Sequence, residues 1–252
     1  MKAFIKAYWK TLLFFAVVGL IGGCFVGLYA LESYPPEMQQ EMLAQGMTDT
    51  KIALTMAIQS ATYGLVLGVA GIWLGRKVGL WKDERHITKK PLLAALVISL
   101  IGGLGIILPD LLFFGKYEPA LLDTYAVKPT IPYLLATVTY GAVIEEVMMR
   151  LFLMSLVAFV LHLLFERKRM EVSTAVLVVA NVVSALLFAA GHLPVNEMTF
   201  GLTPMIVFRC FLLNGAFGLT FGWLYRRFGL RYAMIAHGGC HVVSKLIWIL
   251  FL

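Results

Sequence analysis

Long apolar stretches alternate with short polar turns along the whole chain, at residues 9–31, 52–75, 92–114, 131–165, 172–192, 204–225 and 232–252. A helix crossing a bilayer needs roughly 20 predominantly apolar residues, so these lengths suit membrane spans. The pattern predicts an all-α fold, a polytopic transmembrane helix bundle with about seven spans. We read one domain without repeats or low-complexity linkers. Residues 1–130 supply about three N-terminal spans, and 131–252 form a core of about four. The fourth stretch is too long: 35 residues at ~1.5 Å each exceed a ~30 Å hydrocarbon core. A break in its helix is the expectation there.

Composition agrees with a lipid surrounding. Hydrophobic residues are 60% of the 252 and charged residues 14%, against about 25% charged in soluble domains; mean hydropathy is +0.86. The three cysteines, Cys24, Cys210 and Cys240, lie in or beside apolar segments. An odd count in such places reads as small buried hydrophobes, not as a disulfide framework. "LIGGC" has the look of a lipoprotein processing box, but the apolar run continues through "FVGLYAL" and reads as an uncleaved first span.

The net charge of +7 is distributed by loop. The N-terminus and the turns "RKVGLWKDERHITKK", "ERKRME" and "RRFGLR" hold 15 Lys and Arg residues, and the intervening loops hold 3. Arg150, Arg209 and Lys245 lie within spans. The positive-inside rule then predicts an integral membrane protein, in the cell membrane, with a cytoplasmic N-terminus and an outside C-terminus. The basic balance is topological, and no nucleic-acid partner is expected.

Within Ile131 to Phe165 the only charged side chains are Glu145, Glu146 and Arg150, in "VIEEVMMRLFLMS". Charged groups at the centre of a membrane helix cost on the order of 2.5–3.5 kcal/mol each and are functional candidates by default. Residues four apart share a helical face, so Arg150 is placed for Glu146 and badly placed for Glu145, whose own four-residue partner is Met149. The spacing predicts a structural ion pair, Glu146–Arg150, and an available carboxylate at Glu145. A carboxylate without a partner in a low-dielectric site suits a general base. The other reading is an ion network that only locks helices together.

Polar groups recur later. His192 ends an apolar run before Pro194, and "HGGCH" puts His237 and His241 four apart on one face. Each alone is more often a hydrogen-bonded core or interface residue; two glutamates and three histidines together in an apolar chain point to a site. Gly215, Gly218 and Gly222 recur at three- and four-residue spacing, which lets membrane helices approach closely, with Asn214 beside them as a hydrogen-bonding candidate.

These residues together resemble the CPBP family of intramembrane proteases, also called CAAX proteases and bacteriocin-processing enzymes, or the Abi family. Its first motif, a glutamate pair followed by arginine, is met by Glu145, Glu146 and Arg150. Its second, phenylalanine and histidine four apart, is met by Phe188 and His192. The glycine-rich aromatic region is met by "NGAFGLTFGWLY". The last motif is met by His237, with His241 where asparagine is usual, and Leu151 stands where glycine commonly follows the first motif. The resemblance covers roughly residues 131 to 245. It implies a CPBP-like catalytic core that hydrolyses a peptide bond in the membrane with a glutamate-activated water. Glu145 would be the base, His192 would help to hold the water, and His237 with His241 would stabilise the oxyanion. It implies that Glu145, His192 and His237 share one cavity, that the substrate is a peptide or membrane protein, and that no cofactor is needed.

Two rival readings stay open. Two histidines four apart, a third histidine and a glutamate could hold zinc, although "HGGCH" lacks the glutamate of HExxH. A non-catalytic membrane regulator or immunity protein could use the same scaffold. Transport ranks last, since no inverted repeat with broken helices is visible.

Overall fold

The computed structural model describes residues 2–34, 36–83 and 86–252, with the backbone only for residues 31–33. Every regular element among them is helical. Seven of these helices, at residues 2–30, 49–77, 89–116, 131–165, 174–200, 204–228 and 230–251, are long and apolar enough to cross a membrane. The bundle is therefore all-α with seven candidate spans. Large apolar side chains such as Leu100, Ile101 and Leu164 stand exposed on its outside, as lipid-facing positions require.

The elements are α1 (Lys2–Ser33), α2 (Pro36–Ala44), α3 (Asp49–Lys77), α4 (Lys89–Leu112), α5 (Pro119–Ala126) and α6 (Ile131–Ala136). After two π-helical segments come α7 (Ser155–Phe165), α8 (Thr174–Gly191), α9 (Leu193–Phe200), α10 (Pro204–Phe228) and α11 (Leu230–Phe251). Local chemistry sets the boundaries. Ser173 caps α8 by accepting from the Val176 N–H at 3.3 Å. Thr203 caps α10 by accepting from the Ile206 N–H at 3.1 Å, with Pro204 in the first turn where no N–H is needed. Gly229, at φ 108°, is the only residue between α10 and α11; a side chain would be strained in that conformation. The two helices thus run closer to each other than the apolar pattern implied.

The fourth span departs from expectation in a different way. It is not broken but rewound: Thr137–Glu145 and Val147–Met154 are π-helical, with Glu146 between them. A π-helix closes i→i+5 hydrogen bonds, so residues five apart lie about one turn apart. More residues fit into each turn, which shortens a span otherwise too long for the bilayer core.

Helix contacts give the directions of the spans. Asn181 donates to the Leu219 carbonyl at 3.0 Å and Cys210 Sγ to the Ala189 carbonyl at 3.2 Å, so α8 and α10 are antiparallel. Between them an added Cβ at Gly218 would lie 2.8 Å from Ala185 Cα, so this approach requires glycine. At Gly222 an added Cβ would instead meet the Asn181 side chain, whose amide donates to the Leu219 carbonyl, and Gly215 has open space beside it. The close-approach reading thus holds at Gly218. The fourth span is antiparallel to α11: Glu146 meets His237, Tyr133 meets Lys245, and Lys128 reaches the carbonyls of Trp248 and Ile249. On another side of α11, Thr88 at the start of α4 meets Tyr232 and Gly103 meets Val243, so these two helices are parallel, and Ser99 Oγ of α4 donates to the Ala236 carbonyl. All three cysteines are free, and Cys210 and Cys240 are buried. Each serves as a small apolar residue with a weak donor.

Candidate functional site

The π-helical winding decides which side chains of the fourth span share a face. Gly141 and Glu146, five apart, look toward α11: a Cβ at Gly141 would stand 3.6 Å from His241 Nε2 and 3.9 Å from His237 Nε2. Tyr140 and Glu145, also five apart, look elsewhere, and the charge of Glu145 acts on the Tyr140 hydroxyl. Missing a side chain, Gly141 leaves room beside the histidines.

Glu146 is fully buried and anchors a line of polar groups. Its Oε1 lies 2.9 Å from His237 Nδ1 and 3.2 Å from Arg150 Nη1. His237 Nε2 in turn lies 3.2 Å from His241 Nε2. A carboxylate can only accept, so His237 Nδ1 carries the proton toward Glu146. One further proton then sits between the two Nε2 atoms. Phe221 stacks on the His237 ring at 4.7 Å and 18°, holding it in plane with this line. Four buried atoms of the line have no hydrogen-bond partner among the described residues: Glu146 Oε2, Arg150 Nη1 and Nη2, and His241 Nδ1. The Arg150–Glu146 contact is thus an ion pair poorly aligned as a hydrogen bond. Buried polar atoms left in this way concentrate at functional sites.

Arg150 is 1% exposed and links the line to the rest of the site. Its guanidinium lies 4.4 Å from the centroid of Phe188 and 5.5 Å from that of Phe221, two cation–π contacts that favour a desolvated cation. Its charge interacts first with Glu146 and then with Glu145. The four-residue rule placed Arg150 with Glu146 and away from Glu145, and among the described residues its ion pair is with Glu146. Glu145 itself is half-buried, and no hydrogen bond or ion pair reaches it from the described residues.

Phe188 is the hub on α8. Its ring meets His192 edge-on at 4.6 Å and His237 at 6.2 Å. His192 sits at the junction of α8 and α9, with Pro194 in the first turn of α9. Its Nδ1 is 2.8 Å from the Phe188 carbonyl. A carbonyl only accepts, so Nδ1 bears the proton and Nε2 keeps a lone pair. Asn196 steadies this turn by donating to the His192 carbonyl at 2.7 Å.

The structure therefore gathers Glu146, Arg150, His237, His241 and Phe188 by direct contact. His192 joins through Phe188, and no hydrogen bond or ion pair ties Glu145 to the group among the described residues. Asn214 does not join: its amide donates to the Cys210 carbonyl at 3.1 Å on its own helix. A short amide side chain inside a helix finds the carbonyl four residues back before it finds another helix. No three groups suited to a metal ion converge among the described residues. At the histidine pair the reason is geometric, since both Nε2 atoms face each other and His237 Nδ1 faces a carboxylate.

A cavity of about 190 Å³ opens on the other side of the His192 turn. Asn196, Arg209, Asp110, Tyr133, Ser244 and Lys245 are in its wall. Glu145, His192 and His237 do not line it, so it is not the shared cavity expected for them. The pair Asp110–Arg209 was not read from the sequence. Its two charges sit in different spans, Asp110 at 1% exposure and Arg209 at 16%, joined by two hydrogen bonds of 2.5 and 2.6 Å. Intramembrane position alone would have flagged Asp110, Arg209 and Lys245. No sequence spacing could have paired them. Gly141 and Phe221 carried no such signal.

Comparison with known proteins adds one match. Residues 127–243 match the family described as Rce1-like, type II CAAX prenyl endopeptidase Rce1-like. No curated protein and no solved structure matches the chain.

Proposed function

We propose that this chain, whose residues 127–243 match the type II CAAX prenyl endopeptidase Rce1-like family, is a membrane-embedded peptidase that cleaves a peptide bond at bilayer depth with water activated by Glu145. The observation that carries the reading is the division between the two glutamates. Glu146 is committed to Arg150 and His237, while Glu145 is half-buried and without a partner. A base must be able to take a proton from water, and Glu145 is the carboxylate left to do it. His192 contributes the Nε2 lone pair that accepts a hydrogen bond from that water. His237 and His241 are the groups that would face a developing oxyanion, where a ring N–H can donate, and Glu146 and Phe221 fix the orientation of the His237 ring.

The bond hydrolysed is an amide: water oxygen adds to the carbonyl carbon, its proton goes to Glu145, and that proton then reaches the departing nitrogen. No cofactor is required for these steps. The family description names prenylated substrates; the chemistry proposed here needs only a peptide carbonyl within reach of Glu145.

Membrane peptides from cells carrying the wild-type chain or Glu145→Ala test the reading. New peptide ends present with the wild type and absent with the variant are the expected result, and they should persist in the wild type after chelation. Identical peptide ends in both would leave a non-catalytic regulator on this scaffold, and loss on chelation would restore a metal mechanism.

We place the N-terminus in the cytoplasm and the bundle in the cell membrane, supported by the 15-to-3 division of basic residues between loops. Single cysteines at Gln40, Ile87, Tyr117, Lys168 and Leu202, in a chain lacking the native three, should label outside, inside, outside, inside, outside. Two neighbouring loops labelled from the same side would refute this orientation.

A further inference from the structure

The cavity beside the His192 turn holds three charged side chains, and only two of them neutralise each other. Asp110 accepts two hydrogen bonds from Arg209 and one from the Tyr125 hydroxyl at 2.9 Å, so both of its oxygens are engaged. Lys245 is left over. It is 8% exposed, its Nζ donates to the Tyr133 hydroxyl at 2.9 Å, and no carboxylate lies within ion-pair distance among the described residues. The rings of Tyr133 and Trp248, at 4.6 and 5.4 Å, hold the cation from two sides. An ammonium has three donors, and one is used. A buried cation at membrane depth without a counter-charge is costly unless something anionic completes it.

We propose that Lys245 anchors a substrate carboxylate in this cavity, making it a specificity-determining residue of the peptidase. The lining fits an apolar residue bearing a carboxylate: Ile107, Leu121 and Val195 offer apolar surface, and the Tyr133 and Ser244 hydroxyls flank the charge. The cavity also adjoins the site on two elements. Asn196 is in its wall and binds the His192 carbonyl. On α11, Lys245 follows His241 by one turn and His237 by two, ~6 and ~12 Å along the axis. An extended peptide advances ~3.3–3.6 Å per residue, so a carboxylate at Lys245 lies within about four residues of a bond held at His237. The carboxylate is either the C-terminus of the peptide or an acidic side chain near the cut.

The inference rests on the peptidase reading, and a binding measurement separates the two. Calorimetric titration of the purified full chain carrying Glu145→Gln uses three probes: N-acetyl-leucyl-leucine as the free acid, its amide, and N-acetyl-leucyl-glutamic acid α-amide. The free acid should bind at least tenfold more tightly than the amide. Lys245→Met should erase that preference, and Lys245→Arg should keep it. Lys245→Gln, which keeps a polar head that can donate to Tyr133 but removes the charge, should erase it as well and covers the case in which Lys245→Met does not fold. Tight binding of the glutamate probe would identify a side-chain carboxylate, and weak binding would identify the C-terminus. Equal affinity for acid and amide, absence of binding by all three, or a preference that survives Lys245→Met would overturn the assignment. If the acid preference holds but Glu145→Gln still cleaves peptides, the anchor stands and the Glu145 mechanism falls.

Discussion

Replacing Glu146 by glutamine should strip the folded protein of about 3–5 kcal/mol, the usual loss when one partner of a buried charge pair is removed. Glu146 is completely buried, and its Oε1 serves both Arg150 and His237. Without the carboxylate, Arg150 keeps its cation–π contacts with Phe188 and Phe221 but has no charge opposite except the more distant Glu145. His237 loses the acceptor that orients its ring. Folded yield in detergent and thermal melting are the measurements, compared with Glu145→Gln under the same conditions. Glu145 has no bonded partner to lose, so its variant should melt as the wild type does. The double variant Glu146→Gln with Arg150→Met should recover part of the loss, because it removes the stranded cation too; contacting pairs couple by about 0.5–3 kcal/mol. Equal melting of the two single glutamine variants would show that Glu146 does not hold the site together.

The second large effect is on rate. Glu145→Gln should lower turnover by about 10²–10⁴-fold, the usual contribution of a positioned general base, with little change in KM or melting. Glutamine preserves shape and removes the proton acceptor, so a packing role would survive the change and a base role would not. His192→Ala should show the same separation, since its Nε2 is not committed to a partner in the protein and its loss removes an acceptor for water. Full activity in purified Glu145→Gln would sink the assignment. Activity would then have to be sought at Glu146, whose Oε2 is buried and without a partner.

Seven apolar stretches and the alternation of basic turns were legible in the amino-acid order, because crossing a bilayer imposes length and hydropathy on each segment separately. So were the identities of the unusual groups, since a charge or histidine in an apolar run stands out without any structure. Even the Glu146–Arg150 pair could be read, being local to one helix. What the sequence could not determine is who else those groups meet. Glu146 and His237 are 91 positions apart, and Asp110 and Arg209 are 99 apart; their pairing depends on the relative slide of whole helices. The π-helical turns around Glu146 change the angular spacing from that of an α-helix, and the face that carries Glu146 puts Gly141 beside the histidines. Asn214 shows the converse: next to a glycine-rich face it still bonds within its own helix, where a partner is always in reach. Composition and period are properties of one segment and were set by the sequence alone. Charge compensation belongs to pairs of segments, so only the packed bundle decides that Asp110 neutralises Arg209 and that no carboxylate among the described residues pairs with Lys245.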